Sequence, residues 1–152
     1  MILLKQSWRL TAYRNERDTV IREIPYYELK IDKEMYFRIL DDAAEKYPEE
    51  ACGILLRDKY SGNICDIRIM KNKDGQSSAK SHFYIDPLEV YRLEMEAEKD
   101  NKEIAAFYHS HPDKEAVLSA EDERYMIPKM VYIIVPVTSG LPRTGRAYLM
   151  ET

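Results

Sequence analysis

Three short apolar runs constrain this chain most: Ala51 to Leu56 (Ala-Cys-Gly-Ile-Leu-Leu), Ile104 to Tyr108 and Val131 to Val137. The first is continuous and reads as a strand buried on both faces. The second is another apolar strand, and the third is strongly β-branched, as strands prefer. Strands of this kind need covering layers, and the segments between them have helical signatures. Asp32 can cap a helix running to about Tyr47, with Met35, Ile39, Ala43 and also Tyr36 and Leu40 toward the interior, and Pro48 helps to end it. Asp86-Pro87 pairs a capping carboxylate with proline at the first helical position, starting a helix with Val90, Leu93, Met95 and Ala97 that reaches about Asp100. Ser119 opens a third helix. Tyr27, Leu29 and Ile31 alternate with polar residues as a half-buried strand would. Ser61-Gly62-Asn63 reads as a turn before a strand from Ile64 to Met70, Lys71 to Ser81 as a loop, and Arg146 to Met150 as a last strand. Interleaved strands and helices predict an α/β sandwich, a mixed sheet with helices packed on it.

The chain has 152 residues, which suits one compact domain. Residues 1–25 have a different texture, with Trp8, Arg9, Arg14, Arg17 and Arg22 but no clean periodicity. They read as a terminal arm or added hairpin, with a second copy of the chain (a homodimer) as one surface to pack on, or as a partly ordered tail. Residues 26–152 form the expected domain. A net charge of −4, from 23 basic and 27 acidic side chains, is no nucleic-acid footprint. No polybasic run or membrane-length apolar stretch is present, so no membrane partner is expected. Two cysteines, Cys52 and Cys65, make no disulfide framework; reduced thiols fit a cytoplasmic protein.

The chemistry concentrates in His109-Ser110-His111-Pro112 and Leu118-Ser119-Ala120-Glu121-Asp122. Residues two apart on a strand face the same way, so His109 and His111 can converge on one ion. Asp122, early in the next helix, can supply a third ligand. Two imidazoles and a carboxylate suit zinc and leave a fourth position for water, the mark of a catalytic site. A base must then take the water's proton. Glu50, entering the buried strand, is the candidate, with Glu49 as competitor; chemistry alone barely separates them. Ser119 reads as a helix cap, and its hydroxyl could also donate to an oxyanion; the two roles are compatible.

Together, Glu50-x-x-Gly53, then His109-Ser110-His111, seven residues from Pro112 to Leu118, Ser119, two residues and Asp122 resemble the full JAMM (MPN+) metallopeptidase signature. The resemblance spans roughly Tyr27 to Met150. It implies a curved mixed sheet flanked by helices, of cytidine-deaminase-like type. It also implies His109, His111 and Asp122 as zinc ligands, Glu50 rather than Glu49 as general acid/base, and Ser119 as stabiliser of the tetrahedral intermediate. The implied reaction is hydrolysis of an amide or isopeptide bond after the C-terminal glycine of a ubiquitin-like protein. His-Ser-His-Pro and the Phe83-Tyr84-Ile85-Asp86-Pro87 segment resemble the compact bacterial branch, and only 55 residues separate Gly53 from His109. That branch implies ubiquitin-like sulfur carriers as partners. Leu118 stands where many bacterial members have proline, and the N-terminal arm has no counterpart.

Rival readings are weaker. An isolated His-x-His is most often structural, but here Glu50, Ser119 and Asp122 accompany it. A non-catalytic scaffold of the same fold usually lacks a ligand or the glutamate, and none is missing. The zinc deaminases need Cys-x-x-Cys, which this chain lacks. Cys52 reads as a buried, inert thiol rather than a nucleophile, and Cys65 as core or half-buried. His82 reads as a surface or capping histidine, with a substrate groove as its sharper role. Tyr84 and Tyr108 lie close enough in sequence to the motif to contact substrate.

Overall fold

A computed structural model describes residues 13–14, 20–72, 85–124 and 126–151. In chain order the elements are β1 (Tyr13–Arg14), β2 (Val20–Ile24), a 3-10 turn (Tyr26–Leu29), α1 (Lys33–Lys46), β3 (Cys52–Asp58), β4 (Ile64–Met70), α2 (Pro87–Lys99), β5 (Lys102–Pro112), α3 (Ala120–Arg124), β6 (Val131–Thr138), β7 (Leu141–Pro142) and β8 (Arg146–Glu151). The strands form one sheet in the order β1-β2-β8-β6-β5-β3-β4, with β7 paired to β6. Among the described strands only β5 and β6 run parallel; the other pairs are antiparallel. This is the mixed sheet the sequence leads one to expect.

Alternation along the strands divides the core between two faces. On one, Leu55, Ala106, Tyr108, Ile133, Val135 and Ala147 meet Ile39 and Ala43 of α1. On the other, Ile54, Leu56 and Ile104 meet Leu93 and Ala97 of α2. Beside them Ile21, Ile134 and Met150 are covered by Ala116, Leu118 and Met126, from the segment around α3. Burying such a side chain contributes about 1.5–3 kcal/mol, so these layers hold the sheet in place. The helix starts follow from their caps. The Asp32 carboxylate accepts from the Met35 N–H at 2.8 Å, and the Asp86 carboxylate from the Leu88 N–H at 3.0 Å, with Pro87 at the helix start.

One expectation is overturned. Tyr27 to Ile31 is not a strand: Tyr26–Leu29 is a 3-10 turn, closed by the Glu28 N–H on the Pro25 carbonyl and ended by Lys30 at φ 52°. One turn suffices to bring Leu29 into the core, and three alternating residues are too few to separate the two periods. Val20–Ile24 pairs along its whole length with β8. Its apolar residues go to opposite faces, Ile21 with one cluster and Ile24 with the other, so no single-face pattern marks it. Most of the expected loop from Lys71 to Ser81 lies outside the described residues.

Candidate active site

β5 is long enough that both histidines lie inside it, near its C-terminal end. Ala106 and Tyr108 point toward α1, so His109 and His111 project from the opposite face. Both are buried, and their Nε2 atoms stand 3.1 Å apart. Asp122 comes from the first turn of α3 and is fixed there by a reciprocal cap. The Asp122 N–H donates to Ser119 Oγ at 3.0 Å, and the Ser119 N–H donates to Asp122 Oδ2 at 2.9 Å. Held this way, Asp122 Oδ1 lies 3.3 Å from His109 Nε2 and Oδ2 lies 3.1 Å from His111 Nε2. The cap uses a lone pair of Ser119 Oγ and leaves the hydroxyl proton to be donated elsewhere.

These separations test the metal hypothesis. Ligand atoms on a tetrahedral zinc, at about 2.0–2.1 Å each, lie about 3.3–3.4 Å from one another, close to the 3.1–3.3 Å found here. His111 Nδ1 is 2.8 Å from the Glu115 carbonyl oxygen. A carbonyl can only accept, so Nδ1 carries the proton and neutral His111 turns a bare Nε2 lone pair toward the carboxylate. Such facing acceptors need a cation among them, either a proton or a metal. The charge balance agrees. Burial raises the Asp122 pKa, but when that cation is a proton on the imidazoles, hydrogen bonds from His109 and His111 outweigh burial and hold the carboxyl well below its ordinary range. Burial holds the His109 pKa down. Burial also opposes protonation of His111, yet Asp122, the Glu115 carbonyl and Glu50 together raise its pKa.

Glu50 sits just before β3 and is 4% exposed, whereas Glu49 beside it is exposed. The next residue, Ala51, is tied to the histidine strand twice. The Ala51 N–H donates to Ser110 Oγ at 2.8 Å, and the Ser110 N–H donates to the Ala51 carbonyl at 3.0 Å. Asn72 Nδ2 donates to the Glu50 carbonyl at 3.2 Å. One carboxylate oxygen of Glu50 and one ring nitrogen from each of His109 and His111 lie within 4.8 Å of one another, a second combination able to hold a cation. Glu50 Oε2 is buried and accepts no hydrogen bond among the described residues. Burial, assisted by Asp122 and opposed by His111, raises the Glu50 pKa from 4.5 to about 7. A carboxyl near neutrality can both take and return a proton.

Other residues find different places. Tyr108 does not face the site: its hydroxyl donates to buried Asp42 at 2.8 Å on the α1 side, so contact with substrate is ruled out for it. Strand alternation places it opposite both histidines. Cys52 is 1% exposed and Cys65 half-buried; neither is in a disulfide, and their thiols donate to the Met70 and Leu56 carbonyls. His82 and Tyr84 lie outside the described residues. The sequence reading missed Ser110, Asn72 and the Glu115 carbonyl. Ser110 had a signal, since a polar side chain within a buried strand must find a partner; a backbone carbonyl leaves none.

Residues 32–149 match the family described as prokaryotic homologs of the JAB domain. A desampylase from Haloferax volcanii is 30% identical over 95 residues, 62% of this chain and 67% of that protein. Two proteins known from solution structures are also similar. One, from Desulfitobacterium hafniense, has a TM-score of 0.60 and 28% identity, over 70% of this chain and 73% of that one. The other, from Salinibacter ruber, has a TM-score of 0.58 and 27% identity, over 79% and 80% respectively. No described helix is long and apolar enough to cross a membrane.

Proposed function

This chain belongs to the family of prokaryotic homologs of the JAB domain, and on that premise we propose that it is a zinc-dependent hydrolase. Its substrate in this reading is an amide or isopeptide bond at the C-terminal glycine of a ubiquitin-like or sulfur-carrier protein. The observation that carries the proposal is the meeting of His109, His111 and Asp122 at 3.1–3.3 Å, with buried Glu50 alongside. The relative's name, desampylase, supports a hydrolase, and two cysteines outside any disulfide fit a cytoplasmic setting.

His109, His111 and Asp122 would hold the ion, since Asp122 lies 3.3 and 3.1 Å from the two ring nitrogens. The chemistry zinc supplies when bound is Lewis-acid polarisation of a carbonyl and activation of water near neutral pH. Glu50 takes the proton of the attacking water through its free Oε2. The Ser119 hydroxyl, anchored as a cap, donates to the carbonyl oxygen as negative charge develops there. Glu50 then returns the proton to the leaving nitrogen. The carrier's extended tail pairs with β4, whose only sheet neighbour among the described residues is β3. Asn72, just past β4, touches the Glu50 backbone, so a tail on this edge ends beside the base.

Two variants test the assignment on a glycine-linked fusion. Glu50→Gln is expected to bind zinc like wild type while hydrolysis falls by about 10²–10⁴-fold. Asp122→Asn is expected to weaken zinc binding, since a neutral amide is a poorer ligand. Activity retained in Glu50→Gln, or unchanged zinc affinity in Asp122→Asn, would remove the respective role.

A further inference from the structure

An open groove of about 580 Å³ lies behind the 113–117 loop, lined in part by Lys114, Glu115, Pro136, Arg143, Thr144 and Arg146. We propose that it binds an acidic segment of the substrate on the leaving-amine side of the scissile bond; the leaving-side placement rests on the hydrolase reading above.

Position is the first argument. The Glu115 carbonyl holds His111, while Glu115 itself lines the groove. Pro136, on the groove floor, is the register partner of His111 across β5 and β6. Across the sheet, Met70 of β4 pairs with Cys52, and Cys52 pairs with His109. The β4 edge, unpaired among the described residues, and the groove therefore flank the histidines on opposite sides. A chain whose tail ends at Glu50 carries the residues after the bond toward the groove.

Charge is the second argument. The chain as a whole is acidic, at −4, yet three cationic side chains line this groove. Its two carboxylates, Asp113 and Glu115, offset part of that charge, but both oxygens of Asp113 are occupied, accepting from the Tyr47 hydroxyl at 2.6 Å and the Ser139 N–H at 2.8 Å. Arg146 Nε is committed to Glu23 at 3.2 Å, and its charge also senses Glu115. Lys114 and Arg143 are exposed and make no side-chain ion pair among the described residues. The Arg143 N–H bonds the Pro136 carbonyl at 2.8 Å, anchoring that residue to the groove floor. The Lys114 N–H bonds the His111 carbonyl at 3.4 Å, so this residue borders the reaction centre as well. A guanidinium fork beside an ammonium and the Thr144 hydroxyl is a donor set for carboxylates.

The test uses labelled peptides equivalent to the leaving half, with a free amine followed by two acidic residues or by serine and asparagine. No bond is available to cleave, so fluorescence polarisation reads binding alone. The acidic peptide is expected to bind the wild-type chain roughly three- to tenfold more tightly. Arg143→Glu and Lys114→Glu are each expected to shrink that preference, and the double variant to abolish it. Equal binding of the two peptides, or a preference that survives the double variant, would overturn the proposal. An acid preference in a protein that cannot hydrolyse a full substrate would support the groove and contradict the hydrolase reading. Hydrolysis with no charge preference would do the reverse.

Discussion

Glu50 carries two opposing demands. Burial favours its neutral acid, which lifts its pKa to about 7, while proton abstraction needs the anion. The consequence for stability has a definite sign. A folded-state pKa above the unfolded value means that the native state holds the proton more tightly. The contribution is therefore full below about 4.5 and is lost as pH rises through about 7. In metal-free protein, Glu50→Gln should be more stable than wild type at pH 8, by up to about 3 kcal/mol, and the gain should vanish near pH 4. Urea unfolding at the two pH values checks this; an equal difference at both would show that folding does not raise the Glu50 pKa. A bound dication would remove most of the penalty by favouring the anion. At this scale the sequence reached far: a same-face histidine pair and a capping serine three residues before an aspartate are spacing rules, and the structure brings these residues together. It could not separate Glu49 from Glu50 by chemistry, because both precede the same strand and only burial distinguishes them.

At the scale of elements, β3 and β5 act as one unit. Gly53 pairs with Tyr108, whose ring lies across the glycine where any Cβ would collide with it. The ring cannot easily swing aside, being 1% exposed and bonded to Asp42, which Lys46 also contacts at 2.6 Å. This gives the glycine of Glu-x-x-Gly a physical reason: it lets the strand that follows Glu50 pack closely under Tyr108. Gly53→Ala should cost about 1–3 kcal/mol by overpacking and weaken zinc binding by disturbing the Cys52–His109 register. Chemical denaturation and zinc titration measure the two effects, and a variant as stable as wild type would contradict the contact. Helices α1 and α2 were legible because caps are local chemistry: Asp32, and Asp86 with Pro87. The 3-10 turn and β2 were not, because Leu29, Ile21 and Ile24 are buried by tertiary contacts that no short periodicity encodes.

For the whole molecule, the layer arrangement was legible from the alternation of apolar runs and amphipathic helices, while strand order was not. Pairing β5 in parallel with β6 and antiparallel with β3 is a long-range choice, and it sets His111 beside Pro136 and His109 beside Cys52. The same choice puts the histidines between β4, an edge strand among the described residues, and the groove lined by Lys114 and Arg143. The central claim is that this arrangement holds a metal. The most direct test is elemental analysis of freshly purified wild-type chain that has met no chelator. About one zinc per chain, or its uptake on adding zinc, is the predicted result. No metal at purification, and none taken up afterwards, would contradict it and favour a partner-binding scaffold built on the same fold.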